Sequence, residues 1–231
     1  MEEYSVKFND KKVVYTDINK PWRFKTSDKK DYSPGIILVK SDVVEGKVKF
    51  SLYQYENSSG CVSARRLCFS DEKNVVFFLD VINSDEDICV YTDFFINNSD
   101  LSASCNIADK NKLVIRNTGC GLKHFRLHSE IDGNSILEKT GLMMPVSIKE
   151  NGDIVYSMYD GLYSFGKKHI NCFGLSSETL DKIVYWHLKG TERGYLAEAP
   201  SQSGGMEIEI LGDCVNIYDY KTGECLINVK L

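Results

Sequence analysis

Proline is scarce, with four residues among 231, and neither a run of basic residues nor a catalytic signature of high specificity is present. Each absence removes a class of protein. A net charge of −5, with no basic block, lacks the phosphate-neutralising footprint of a nucleic-acid binder. The longest apolar run, Val75 to Leu79, is far too short to cross a bilayer, so no membrane insertion is expected. The opening MEEYSVKFNDKK has no apolar segment of the kind a signal peptide needs. Helical periodicity is also missing: no window of about twelve residues carries an i, i+3, i+4, i+7 apolar stripe. The best helical candidate is Ser176 to Asp181, one or two turns at most. A fold alternating strands with crossover helices is therefore disfavoured.

Site motifs are absent in the same way. The eight cysteines form no CxxC pair and are irregularly spaced, which argues against a zinc ribbon. Without an export signal they read as reduced thiols in a cytoplasmic chain. The alternative is a piece of a longer exported protein, in which one or two pairs would be disulfides. Asp85-Glu86-Asp87 lacks the calcium-loop pattern and reads as a solvated turn. Gly119-Cys120-Gly121 is too short for a phosphate loop, has no lysine, and also reads as a turn. There is no G-x-S-x-G elbow. Neither a cofactor nor a metal site is expected.

What is present is strand patterning. Residues 48–56, VKFSLYQYE, alternate Val48, Phe50 and Leu52 against Lys49, Ser51 and Tyr53. Residues 206–211 and 225–231 alternate in the same way. A period of two marks half-buried strands, because successive side chains point to opposite faces of a sheet. Further strands are expected at 12–17, 35–42, 60–70, 74–82, 88–96, 112–117, 122–130, 153–159, 162–174 and 182–189. Turn chemistry separates them, as at Asn151-Gly-Asp153 and Lys221-Thr-Gly223. Segment 75–79 is apolar without alternation, so both of its faces must be covered. The expectation is an all-β, antiparallel two-sheet β-sandwich with very little helix. It forms one domain over residues 1–231, with a weak break near 144–152.

Four histidines could carry acid/base chemistry: His124, His128, His169 and His187. His124 and His128, four apart on a strand, share a face but stand roughly 13 Å apart, too far for one metal ion. His187, in the aromatic-flanked Val184-Tyr-Trp-His-Leu188, is the best catalytic candidate, although no partner for it is identifiable. Aromatic side chains offer platforms for sugar rings as well as packing for strands. Trp22, Tyr53, Tyr55, Tyr185 and Trp186 are the positions of interest.

A resemblance to a known family lies in residues 60–96. Gly60-Cys-Val-Ser-Ala-Arg65-Arg66-Leu-Cys-Phe69 is followed by Asn74-Val-Val-Phe-Phe-Leu-Asp80-Val-Ile-Asn83 and by Ile88-Cys-Val-Tyr-Thr-Asp-Phe-Phe95. An arginine-bearing strand, an apolar strand running into Asp and a strand with an aromatic end resemble the C-terminal β-sandwich of heparinase II/III-like polysaccharide lyases. The resemblance implies a carbohydrate-associated domain, with Arg65, Arg66, Tyr185 and Trp186 as ligand-contact candidates. It also implies a helical toroid that holds most of the lyase chemistry, and this chain has no such region. The family's early His-Asn pair has no counterpart in Asp31-Tyr-Ser-Pro-Gly-Ile-Ile-Leu-Val39, and no histidine precedes His124. The expected function is therefore a non-catalytic accessory or binding module for a polysaccharide or oligosaccharide, with a protein partner supplying a helical domain. The alternative is a carbohydrate-active enzyme, lyase or mutarotase-like, that uses a histidine on a concave sheet face. A purely structural interaction domain would instead show a flat apolar patch.

Overall fold

The computed structural model describes residues 4–17, 23–26, 31–32, 37–44, 48–56, 62–70, 76–85, 87–98, 104–109, 112–116, 120–131, 134–135, 140–142, 147–148, 152–162, 167–179, 187–190, 195–198, 205–211, 214–219 and 221–230. Among the described residues there are twenty-two strands and no helix. They run β1 (Ser5–Phe8), β2 (Lys11–Thr16), β3 (Arg23–Thr26), β4 (Asp31–Tyr32), β5 (Ile37–Val44), β6 (Val48–Glu56), β7 (Val62–Ser70) and β8 (Val76–Ser84). Next come β9 (Ile88–Ile96), β10 (Ser104–Asp109), β11 (Lys112–Arg116), β12 (Cys120–Ile131), β13 (Asn134–Ser135), β14 (Thr140–Leu142) and β15 (Ser147–Ile148). The chain closes with β16 (Ile154–Leu162), β17 (Lys167–Thr179), β18 (His187–Gly190), β19 (Tyr195–Glu198), β20 (Gly205–Leu211), β21 (Cys214–Asp219) and β22 (Cys225–Lys230).

All pairings are antiparallel and make three sheets. A front sheet runs β1-β2-β9-β16-β14, with β3 also on β9. A central sheet runs β10-β11-β12-β17-β8-β7-β6-β5, and a C-terminal sheet runs β18 to β22 in order. The front and central sheets are the expected sandwich. Their shared core holds Val14, Phe24, Val90, Phe94 and Tyr156 from the front, and Tyr55, Phe78, Ile82, Leu122 and Phe173 from the centre. The C-terminal sheet adds a third layer. Met206, Ile208, Val215, Ile217, Ile227 and Val229 pack on Phe50, Leu67, Phe69, Phe77, Leu79 and Ile170 on the other side of the central sheet.

This layering explains β8. Phe78 and Ile82 point to the front sheet while Phe77, Leu79 and Val81 point to the C-terminal sheet, and Val76 through Ile82 are all buried. Burial on both faces removes the need for alternation, as the run at 75–79 predicted. Each fully buried large side chain contributes on the order of 1.5–3 kcal/mol.

Two hairpins show local chemistry setting topology. Asn9 and Asp10 adopt φ of 49° and 60° between β1 and β2, the two left-handed positions of a type I′ turn that matches strand twist. Between β21 and β22, Asp219 Oδ1 accepts the Lys221 and Thr222 amides at 2.8 and 2.9 Å, and Gly223 takes φ 70°.

Three expectations need correction. Ser176–Thr179 continues β17 rather than forming a helix, because it pairs with Cys120–Lys123 of β12. Cys120 and Gly121 are the first residues of β12, not a turn. A β-bulge between Arg126 and His128 breaks the strand parity, so His124 stands opposite Leu175 and His128 opposite Cys172. Leu175 and Cys172 belong to opposite cores, so the two histidine positions do not share a face.

Candidate functional site

β9 builds the site by simple alternation. Ile88, Val90, Thr92 and Phe94 are buried toward the central sheet, which turns Tyr91, Asp93 and Phe95 to the outer face of the front sheet. Neighbouring strands deliver their own outward residues in register. β2 sets Tyr15 opposite Phe95, β3 sets Arg23 opposite Tyr91, and β16 sets Ser157 opposite Asp93.

Arg23 grips Asp93 with two bonds, Nε to Oδ2 at 2.6 Å and Nη2 to Oδ1 at 2.9 Å. Ser157 Oγ donates to Oδ1 at 2.6 Å, and the guanidinium lies 5.0 Å from the Tyr91 ring centre. The fork geometry fixes both planes and leaves the pair half-buried, with side-chain exposures of 28% and 18%. Beside it, Tyr15 stacks on Phe95 at 5.2 Å and the Lys12 ammonium sits 4.5 Å from the Tyr15 ring. The Tyr15 hydroxyl donates to Asp153 Oδ2, whose other oxygen accepts the Asn98 amide at 3.1 Å. The result is a half-buried strip of aromatic rings and fixed ions, in which Lys12, Tyr15, Arg23, Tyr91 and Asp93 are partly exposed while Phe95, Asp153 and Ser157 are buried. Such a strip can receive the C–H face of a pyranose ring and hydrogen-bond its hydroxyl or carboxylate groups.

A second polar constellation lies inside. Arg66 is fully buried and binds Asp80 through Nε to Oδ1 and Nη2 to Oδ2, both at 2.6 Å. Its Nη2 also reaches Thr92 Oγ1 at 2.9 Å, across from the front sheet. The guanidinium lies 5.4 and 5.6 Å from the Phe78 and Phe173 ring centres. Burial pushes the neighbouring Tyr53 hydroxyl and Cys68 thiol far up from their ordinary values, so both stay protonated. His124 is buried too, with Nε2 2.9 Å from the Tyr156 hydroxyl and its ring edge-on to Phe94. Burial lowers its pKa to about 3, so it is a neutral imidazole near pH 7.

The sequence candidates therefore separate. Arg66 is committed to the core, as are Tyr53 and Tyr55, which are each 2% exposed. Strand propensity, not ligand contact, accounts for the two tyrosines. Arg65 points the other way and donates to the Lys230 carbonyl at 3.4 Å, near the last strand. His169 is buried. His187 opens β18 opposite Glu198. Trp22, Tyr185 and Trp186 lie outside the described residues. Among the described residues, no three His, Cys, Asp or Glu side chains converge as metal donors. Arg23, Tyr91 and Asp93 were not among the sequence candidates. Their one legible signal was the alternation in β9, whose outward positions Tyr91 and Asp93 are aromatic and charged.

No family model matches the chain, and no curated protein matches it. Solved structures do. Heparan sulfate lyase HepC from Pedobacter heparinus aligns at 10% identity and TM-score 0.47 over 86% of this chain. Heparinase III aligns at 12% identity and TM-score 0.49 over 90% of this chain. This chain spans only 30% and 29% of the lengths of those two proteins. They are the same kind of protein that residues 60–96 resemble.

Proposed function

We propose that the chain is a non-catalytic, carbohydrate-associated β-sandwich whose ligand is a polysaccharide or oligosaccharide. One observation carries this reading: the outer face of the front sheet sets aromatic rings among fixed, hydrogen-bonding ions at Arg23, Tyr91, Asp93, Tyr15 and Lys12. The pattern of residues 60–96 supports the choice of sugar chemistry. In this reading any bond cleavage is supplied by a separate helical protein or region, and the compartment is the cytoplasm.

A glycan-array screen of the purified chain tests the reading. Arg23→Ala and Tyr91→Ala should abolish the strongest signals while the circular dichroism stays unchanged. Loss on Trp186→Ala or Tyr185→Ala alone would move the site to the earlier candidates. No unsaturated product should accumulate from heparan, alginate or chondroitin. Product formed at an enzyme-like rate and lost in His187→Ala would establish a lyase instead. Thiol titration of denatured, unreduced protein should count all eight cysteines; four or fewer would reverse the compartment.

A further inference from the structure

The edge of the central sheet carries an unusual strand. β5 pairs with β6 on one side and, among the described residues, ends the sheet on the other. Ile37, Leu38, Val39 and Val43 are 63%, 36%, 53% and 51% exposed, and they are four of the five large exposed hydrophobics among the described residues. The edge strand β22 differs. β22 alternates, burying Ile227 and Val229 while exposing Cys225, Asn228 and Lys230. An eight-residue edge strand with three consecutive exposed apolar residues is a template for pairing with another chain.

The sequence of β5, Ile-Leu-Val-Lys-Ser-Asp-Val-Val, specifies which chain. It is nearly self-complementary about Ser41. An antiparallel pair of β5 strands related by a two-fold axis at Ser41 sets Lys40 opposite Asp42 of the other copy, twice. A β-bulge between Leu38 and Lys40 puts those two residues on opposite faces, so the facing pairs this register fixes are the ones from Lys40 to Asp42. Lys40 and Asp42 stand opposite Leu52 and Phe50 of β6, so both occupy the same face of the sheet. A symmetric slip of one residue would place Lys40 against Lys40 or Asp42 against Asp42. Opposite charges on facing positions stabilise a pair and like charges oppose it, so this register is selected over its neighbours. In the single chain the Val43 amide donates to Asp42 Oδ1 at 2.8 Å. Pairing lets the carboxylate turn to Lys40 of the second copy and frees that amide for the strand ladder. We propose that two copies of this chain associate through antiparallel β5–β5 pairing centred on Ser41, which joins their central sheets into one. The contact is independent of the saccharide face, which lies on the front sheet.

Sedimentation over a range of concentrations at low salt tests the proposal. The unaltered chain should dimerise, and its β5 amides should gain protection from hydrogen exchange as concentration rises. Lys40→Asp and Asp42→Lys should each weaken association about tenfold or more, because two attractive pairs become two repulsive ones. Mixing the two variants should restore a dimer, since every facing pair is again of opposite sign. The double variant should dimerise by itself for the same reason. A chain that stays monomeric overturns the proposal, as does a dimer unaffected by the single changes or variants that fail to associate when mixed. Both positions are exposed, so circular dichroism should show each variant folded.

Discussion

The two sides of the central sheet are built on different chemistry. Toward the front sheet the interface holds ions and hydroxyls: Arg66, Asp80, Thr92, His124 and the Tyr4–Ser51 bond at 2.9 Å. Toward the C-terminal sheet the described contact is a cluster of Phe, Leu, Val, Ile, Met and Cys side chains. A hydrocarbon interface tolerates small shifts, because dispersion has no fixed direction. A two-pronged Arg–Asp pair that also reaches Thr92 of the facing sheet tolerates almost none. The polar side thus has the means to fix how the two large sheets align, and the apolar side adds burial.

Breaking the polar side should cost most. Arg66→Met should lose about 3–5 kcal/mol, because Asp80 is left charged and buried without its partner. Arg66→Met with Asp80→Leu should recover most of that loss, since the uncompensated charge is gone. Urea unfolding of the three proteins checks this, and a single-variant loss below about 1 kcal/mol would remove the contrast between the two sides. On the apolar side Phe77→Ala should cost about 3–5 kcal/mol by leaving a cavity beside Phe69, its stacking partner at 5.0 Å. Phe77→Leu should cost under about 1.5 kcal/mol if that side repacks freely. A loss near zero in Phe77→Ala would place β8 at a sheet edge.

A pH titration sharpens the comparison further. His124 is neutral in the native state down to about pH 3, whereas the unfolded chain takes up a proton below its ordinary value of 6.5. Between those values the unfolded state binds more protons, so stability falls as the pH falls. The slope reaches at most about 1.4 kcal/mol per pH unit, and the full contribution is present above about pH 6.5. Urea midpoints from about pH 7 to pH 4 should drop more steeply for the unaltered chain than for His124→Gln. The smallest effect on stability belongs to the half-buried strip. Arg23→Ala should change stability by no more than about 1 kcal/mol, because its ion pair with Asp93 is partly solvated. Any larger change in chemical denaturation would mark that pair as structural rather than ligand-facing.

Periodicity revealed the strands that alternate and the one that does not. β9 and β22 were legible because one face of each is apolar, and β8 because both are; β6 reads as half-buried, yet both its faces are covered, with Ser51 and Tyr53 as buried as Phe50 and Leu52. The third layer was hidden, since alternation in β20 and β22 shows that one face is buried but not against what. Arg66 read as a surface contact because arginine is seldom buried, and nothing local says that Asp80 faces it across a hairpin. Arg23 and Asp93 meet from strands 70 residues apart, a pairing that no local pattern encodes. His124 and His128 were placed together because a bulge leaves no mark in the spacing of residues.

The placement of β8 in the middle of the central sheet has a consequence for the order of assembly. β5 to β8 form a meander of neighbouring hairpins, available once residue 84 has been made. The strand that pairs β8 on its other side is β17, beginning at Lys167. Synthesis at roughly 5–20 residues per second leaves an interval of several seconds between the two. During it the strand least suited to water has an unpaired edge, and the C-terminal sheet that covers one of its faces is made later still. Contacts of such long separation also slow the folding of the complete chain. The step most open to aggregation or to a chaperone is therefore the wait for β17, and deletions after residue 166 should be insoluble even though the four-strand meander is intact.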